Sequence, residues 1–358
     1  VLPARKSGQL LLERVLLAPL TALILVGLIS ILNSRLFPDP NVPYTFPHSN
    51  VPIIVTNVSE MALLIGLPMF LIVVPGLVRT LRDMRLVIGA YMGIGLLYAL
   101  GTIFAPQLGL LTKASLLGNN RPKVFGSSSS GLGALIVLFT TIALGQALYA
   151  KQAKMRVFWW ALTGIFILGV ILAYGREAWL DLLAAVLVMI GFRLKNWTIL
   201  LLLLVPLVLL LIPGVSDFFD PTKTYGSDRF KIWQDAINIW LRTPYFGVGA
   251  GNYQFFDRFY GVDQVGVAHN QYLEVLAEMG VQGLICLIWL LIAVGYVSIT
   301  YLNRAKTGQT KAIALAQIGF FAAIILGGFF TGTFIPSAAA GGGTATFVET
   351  SYRWLLLG

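Results

Sequence analysis

Apolar residues run along this chain in long unbroken stretches. Strand-like alternation is missing, and transmembrane strands would show a period of two. Candidate spans cover 14–32, 54–78, 86–106, 127–149, 156–174, 178–192, 197–213, 271–302 and 311–334, with a last one from about 347. Most approach or exceed the roughly 18 residues that cross about 30 Å of hydrocarbon. The stretch 178–192 is short and would cross with little tilt or where the bilayer thins. Backbone groups in lipid must be satisfied within their own segment, so the spans are expected to be helices. The expected fold is all-α: a polytopic transmembrane bundle of about ten or more spans, with one large external loop carrying an amphipathic helix. Its expected parts are N-terminal helices (1–126), central helices (127–213), the loop (214–270) and C-terminal helices (271–358). Pro52, Pro68, Pro75 and Pro206 lie in or near spans, where they would kink helices.

Composition supports the same picture. The chain is 57% hydrophobic and 11% charged, whereas a soluble domain carries about 25% charged residues. The single cysteine, Cys286, lies in an apolar run and reads as a small core residue. No cleavable signal peptide stands out, and the first apolar run is long enough to span. The chain starts at Val1 and stops inside an apolar run at Gly358, so both ends are expected to be incomplete.

Charge orients the spans. Arg5, Lys6, Arg14; Arg79, Arg82, Arg85; Lys151, Lys154, Arg156; Arg193, Lys195; and Arg304, Lys306, Lys311 fall in alternate short loops. The positive-inside rule puts these in the cytoplasm. Segments 33–53, 107–126, 175–177, 214–270 and 335–346 are then external. The external side still holds Arg35, Lys113, Arg121, Lys123, Arg176, Lys223, Arg229, Lys231, Arg242, Arg258 and Arg353. A basic surplus on the disfavoured side suggests an anionic ligand there. The competing reading is a solvated surface with snorkelling span ends.

The loop 214–270 is the one long polar segment. Asp217, Asp220, Pro221 and Gly226 read as turns. Ser227 or Asp228 would cap a helix running to about Leu241. Phe230, Trp233, Ile237, Trp240 and Leu241 form its apolar stripe, and the basic flanks suit a helix on the membrane interface. The run Phe246-Gly247-Val248-Gly249-Ala250-Gly251-Asn252 has glycines like a phosphate turn but no preceding strand. A tight turn packed at the membrane mouth fits it better. Ala268-His269-Asn270 then opens the next span. A histidine there can titrate near neutral pH, although the helix dipole disfavours its charged form. A polar helix cap explains the same position equally well.

Arg176 occupies a two-residue external corner, which gives it little freedom to reach bulk water. Ionisable residues at that depth usually face a cavity or a partner; the alternative is an interfacial Arg beside Glu177 and Trp179. Metal catalysis is weakly supported: His48 and His269 are far apart in sequence, Cys286 is isolated, and Asp217, Asp220 and Asp228 read as solvated. Ser127 to Ser130 read as capping and small-residue packing rather than a nucleophile.

Four motifs in order resemble a known family. They are Gly175-Arg176-Glu177-Ala178-Trp179, then Arg229 with Trp233, then Pro244-Tyr245-Phe246-Gly247-Val248-Gly249, then His269-Asn270 followed after nine residues by Gly280-Val281-Gln282-Gly283. Together they resemble the bacterial O-antigen ligase and O-antigen polymerase superfamily over roughly residues 174–300. Gly175 and Glu177 depart from the Ser and Gly that flank the family's corner Arg.

The resemblance implies a glycosyltransferase on the outer face of the bacterial inner membrane. Its donor would be a glycan on a polyprenyl (undecaprenyl) diphosphate. The acceptor would be a lipid A core sugar for a ligase, or another carrier-linked glycan for a polymerase. Membrane lipid is the other expected partner; no nucleic acid, no cofactor and no metal are expected. Arg guanidinium forks suit phosphate oxygens. Without a metal, cations must offset the charge growing on the leaving diphosphate. Arg176 and Arg229 are the first candidates, Arg121 and Lys123 the second. The acceptor hydroxyl needs a base, for which His269 is the first candidate and Glu177 the second. Trp233, Gly247, Gly249, Asn270, Gly280 and Gly283 are expected to support the site. A transporter of lipid-linked sugars or small anions is the alternative from another class, and a structural subunit is a third. No internal repeat supports the transporter.

Overall fold

A computed structural model of the protein describes residues 7–42, 53–78, 80–113, 120–125, 129–194, 224–261 and 266–330. They are mostly helical. The elements are α1 (Ser7–Leu36), α2 (Ile53–Gly66), α3 (Phe70–Leu77), α4 (Leu81–Ile103), β1 (Leu111–Lys113), β2 (Asn120–Pro122), α5 (Ser129–Tyr149), α6 (Ala153–Leu172), α7 (Arg176–Leu194), α8 (Thr224–Arg242), α9 (Tyr253–Tyr260), α10 (Gln271–Arg304) and α11 (Gly308–Gly327). Six helices among the described residues are long and apolar enough to cross a membrane: α1, α4, α5, α6, α10 and α11. Helix α2 is a shorter apolar helix. Helix α7 carries Arg176, Glu177, Asp181 and Arg193 and falls outside that set. The expected spans at 197–213 and from about 347 lie outside the described residues.

Two expected boundaries move for local reasons. The stretch 54–78 is two helices, because Pro68 sits in the turn between α2 and α3. Proline lacks an N–H and clashes with the carbonyl four residues back, so a helix ends near it. Helix α4 starts at Leu81 rather than 86, because Thr80 and Asp83 form a capping box. The Asp83 amide donates to Thr80 Oγ1 (3.1 Å) and the Thr80 amide to Asp83 Oδ2 (2.9 Å).

The chain forms two compact units. The first holds Val1–Ile72, Asp217–Val297 and Gly328–Phe347, and the second holds the remainder. In the second unit α5 is the central helix, packed by α4, α6, α7 and α11. Leu132, Leu135, Ile136, Val137, Leu138 and Phe139 are wholly buried, as expected for a helix that is apolar all round. Small residues set the helix spacing: a side chain on Gly133 would strike Ala178, and one on Gly145 would strike the Ala312 carbonyl. The strands β1 and β2 form an antiparallel pair with Thr112 opposite Arg121.

In the first unit, α8 and α9 pack on a core of Val42, Ile53, Ala236, Ile239, Val248, Tyr253, Phe255, Phe256, Ala268 and Ala277. The buried face of α8 differs from the expected stripe. Ile232, Asp235, Ala236 and Ile239 are buried, while Phe230 and Leu241 are 61% and 60% exposed. Trp233, Ile237 and Trp240 lie half-buried at the edge. Both sets keep helical spacing, so periodicity alone could not choose between them. The slimmer Ile–Ala–Ile face is the one the core admits.

Candidate active site

Helix α10 is not continuous. Gly280 has φ 68° and ψ −168°, which breaks it into 271–279 and 281–304. Such a break strips backbone groups of their helical partners. The turn after α8 replaces them: Val248 N–H donates to the Ala277 carbonyl (2.9 Å) and Gly249 N–H to the Glu278 carbonyl (2.9 Å), while Val281 N–H donates to the Pro244 carbonyl (3.0 Å). Two backbones must approach closely for this exchange. A Cβ on Gly280 would collide with the Tyr245 carbonyl, and one on Gly247 with the Glu278 carbonyl. Both glycines also have positive φ, which L side chains rarely adopt. Gly283 sits one turn after the break, where a Cβ would strike Met279 Cβ.

The glycine-rich turn is a buried plug. Asn252 is wholly buried. Its Nδ2 donates to the Val248 carbonyl (2.8 Å) and to Ser34 Oγ (3.3 Å), and its Oδ1 accepts from Asn57 Nδ2 (2.7 Å). Asn57 Nδ2 also donates to the Ala250 carbonyl (2.7 Å), Ala250 N–H donates to Ser30 Oγ (3.1 Å), and Arg35 Nη2 donates to Asn57 Oδ1 (3.1 Å). The amides of residues 247–250 are thus bonded within the protein, so this turn is no phosphate cradle.

His269 stands at the start of α10, half-buried, with φ 48°. A left-handed non-glycine residue costs about 1–3 kcal/mol and persists where its surroundings impose it. The surroundings are visible. Asn270, the next residue, is the helix cap, with Oδ1 accepting from the Tyr272 (3.0 Å) and Leu273 (3.1 Å) amides. Gln271 N–H donates to the Gly328 carbonyl (2.7 Å). Ala268 is wholly buried in the core. The side-chain cap at this helix start is Asn270.

Arg229 lies half-buried in the second turn of α8, with Nη1 donating to the Phe330 carbonyl (2.6 Å). The same short segment, 328–330, thus contacts both Arg229 and the start of α10. Trp233, one turn after Arg229, stacks edge-on with Phe230 at 5.6 Å.

The other candidates belong to the second unit. Arg176 is the first residue of α7 and is half-buried, with its Nη1 buried. The corner before it is tight: Tyr174 has φ 54°, Ala178 N–H donates to the Gly175 carbonyl (3.1 Å), and Trp179 Nε1 donates to the Val170 carbonyl (3.2 Å). The corner is therefore well formed with Gly175 and Glu177 beside Arg176. Arg121 pairs in the β-ladder and is half-buried; Lys123 is exposed, with its amide on the Leu110 carbonyl (2.8 Å).

Sequence reasoning missed α9 and the carboxylates around it. Asp235, Asp257, Glu274 and Glu278 are all buried. Burial first, then the Asp257 carboxylate, pushes the Tyr253 hydroxyl far above its usual range, so it stays protonated as a donor. The available signal was the apolar and aromatic spacing of Tyr253, Phe256 and Tyr260 at helical intervals. Among the described residues, no three His, Cys, Asp or Glu side chains are grouped to hold a metal. Asp217 and Asp220 lie outside the described residues.

No curated protein matches the sequence. Residues 157–288 match a family model described as O-antigen ligase. The matched segment runs from α6 past the break in α10 and contains Arg176, Glu177, Arg229, His269, Asn270, Gly280 and Gly283, while Arg121 and Lys123 precede it. That segment is similar to the O-antigen ligase family, which supports a membrane enzyme of the O-antigen ligase or polymerase type.

Proposed function

We propose that the protein transfers a glycan from a polyprenyl (undecaprenyl) diphosphate carrier to an acceptor hydroxyl on the outer face of the bacterial inner membrane, and that it is a ligase whose acceptor is a lipid A core sugar. The observation that carries this reading is His269: a left-handed histidine beside an asparagine cap, inside the segment that matches the O-antigen ligase family. A non-glycine residue held in a left-handed conformation at a backbone cost is a candidate for chemistry.

In the proposed reaction a ring nitrogen of His269 takes the proton from the acceptor hydroxyl. The oxygen attacks the anomeric carbon. The bond from that carbon to the diphosphate oxygen breaks, and its electron pair leaves with the diphosphate. Direct displacement inverts the anomeric centre. Positioned general bases contribute about 10²–10⁴-fold. Glu177 is the second choice of base. Arg229 is proposed to bind the leaving diphosphate from the first unit, and Arg176 on the strength of the family resemblance. Arg121 and Lys123 are reserve cations. No metal or other cofactor takes part in the proposed step. Membrane lipid surrounds about ten or more spans in this reading.

The test combines purified protein with polyprenyl-diphosphate glycan and offers either lipid A core or a second carrier-linked glycan. One transfer to the core supports the ligase. A ladder of products makes the protein a polymerase of the same superfamily. Uptake into liposomes without any glycosylation overturns the enzyme reading in favour of a transporter.

A further inference from the structure

The segment entering His269 is tied down by a residue to which nothing above assigns a role. Asp257, in the last turn of α9, is 1% exposed. Its Oδ2 accepts the Gly266 amide at 2.6 Å, nine residues further along the chain. That is a short bond for an amide donor. Its Oδ1 accepts the Tyr253 hydroxyl at 3.3 Å, and its carbonyl accepts the Gly261 amide at 2.7 Å. One residue therefore bonds both the chain leaving α9 and the chain arriving at His269.

The base of this tether is firm. Tyr253 N–H donates to Glu278 Oε1 (3.1 Å), and Asn252 just before it is bonded to α1 and α2. The far end is equally constrained. Gly266 has φ 79°, Ala268 is wholly buried, and Asn270 caps α10. Between the Asp257–Gly266 bond and the Asn270 cap lie Val267, Ala268 and His269. So short a segment, fixed at both ends, leaves His269 little choice of backbone conformation. Reactive groups lose rate steeply when displaced by about 1 Å, and a side chain is most effective when a supporting residue locks it.

We propose that Asp257 is a positioning residue for His269: through the Gly266 amide it holds the histidine in its left-handed backbone conformation. The proposal rests on reading His269 as the general base. It claims no contact between Asp257 and the substrate.

The test measures glycan transfer, with kcat and KM for the carrier separated, in detergent-solubilised full chain that elutes as a single species. Asp257→Ala removes both acceptors and should lower kcat roughly 10- to 100-fold with KM within about twofold. Asp257→Asn keeps an oxygen for the Gly266 amide, and its amide group can donate to the Tyr253 oxygen, so it should recover most of kcat. Gly266→Ala has room for the added carbon but not the conformation. It loosens the tether from the other end and should reproduce the kcat loss even if Asp257→Ala does not fold. In a His269→Ala background, Asp257→Ala should add no further loss. Wild-type kcat in both Asp257→Ala and Gly266→Ala, with His269→Ala inactive, overturns the positioning role alone. An Asn variant as poor as the Ala variant overturns the tether in favour of a role for the charge. Wild-type turnover in His269→Ala overturns the general-base reading itself.

Discussion

Val281 and Pro244 are joined by a 3.0 Å backbone hydrogen bond across the break that Gly280 makes in α10. A continuous helix would return the Val281 amide to Ala277, whose carbonyl is instead taken by Val248. The helix and the turn each complete the other. Gly280→Ala must therefore fail twice, in its φ and against the Tyr245 carbonyl. Strain alone is about 1–3 kcal/mol. The expected outcome is a clearly lower thermal unfolding midpoint in detergent, with glycan transfer lost alongside it. An unchanged midpoint would mean the break is not required.

His269 allows stability and chemistry to be separated. Asn adopts left-handed backbone more readily than His. His269→Asn should keep or raise the unfolding midpoint while lowering turnover by about 10²–10⁴-fold. A variant that keeps wild-type turnover removes His269 from the mechanism.

Arg229 Nη1 donates to the Phe330 carbonyl, and a guanidinium is a planar fork of five N–H donors that suits phosphate oxygens. Lys cannot serve a carbonyl and a phosphate in that geometry. Arg229→Lys should bind carrier diphosphate nearly as weakly as Arg229→Ala, and Arg176→Ala should weaken binding as well. Wild-type affinity in all three would remove both arginines from diphosphate binding.

Asn252 tests the plug. Replacing it with Ala leaves buried partners on Asn57, Ser34 and the Val248 carbonyl unsatisfied. Each such loss costs about 1–3 kcal/mol. Asn252→Ala is expected to unfold several degrees earlier, read by intrinsic fluorescence. A neutral result would show that water replaces the side chain.

One acid-sensitive contact ties the end of α1 to α9. Partial burial raises the Asp39 carboxyl, but the Tyr260 hydroxyl at 2.6 Å, the Asn41 amide and the Arg242 charge outweigh it, and the net shift is downward. A lowered carboxyl stabilises the fold above its ordinary range and loses that contribution as pH falls through its folded value. Hydrogen exchange at residues 39–42 should therefore quicken below about pH 4. Tyr260→Phe should move that acceleration to higher pH; an identical profile would exclude the contact.

Much of this was readable in the chain. Helices α1, α5, α6 and α11 follow from run length and hydropathy, since in lipid a backbone has few other options. The Pro68 kink was anticipated, although a full helix break was not. Arg176, Arg229 and His269 were singled out as site candidates by residue type, position and motif spacing. Other features were not legible because they depend on partners distant in sequence. The buried face of α8 was chosen by the core it meets. Asp257 looks like any loop carboxylate until Gly266 folds back onto it.

Residue order was enough to mark a helical membrane protein with one long aromatic, basic loop, and to single out the histidine at the start of α10. Hydrophobicity and local spacing are written residue by residue, so they need no fold. Tertiary structure alone decided that α10 breaks at Gly280, that a glycine turn fills the break, and that Asn270 rather than His269 is the cap. Those outcomes depend on which distant backbone arrives to satisfy each exposed amide and carbonyl, and no local pattern carries that information.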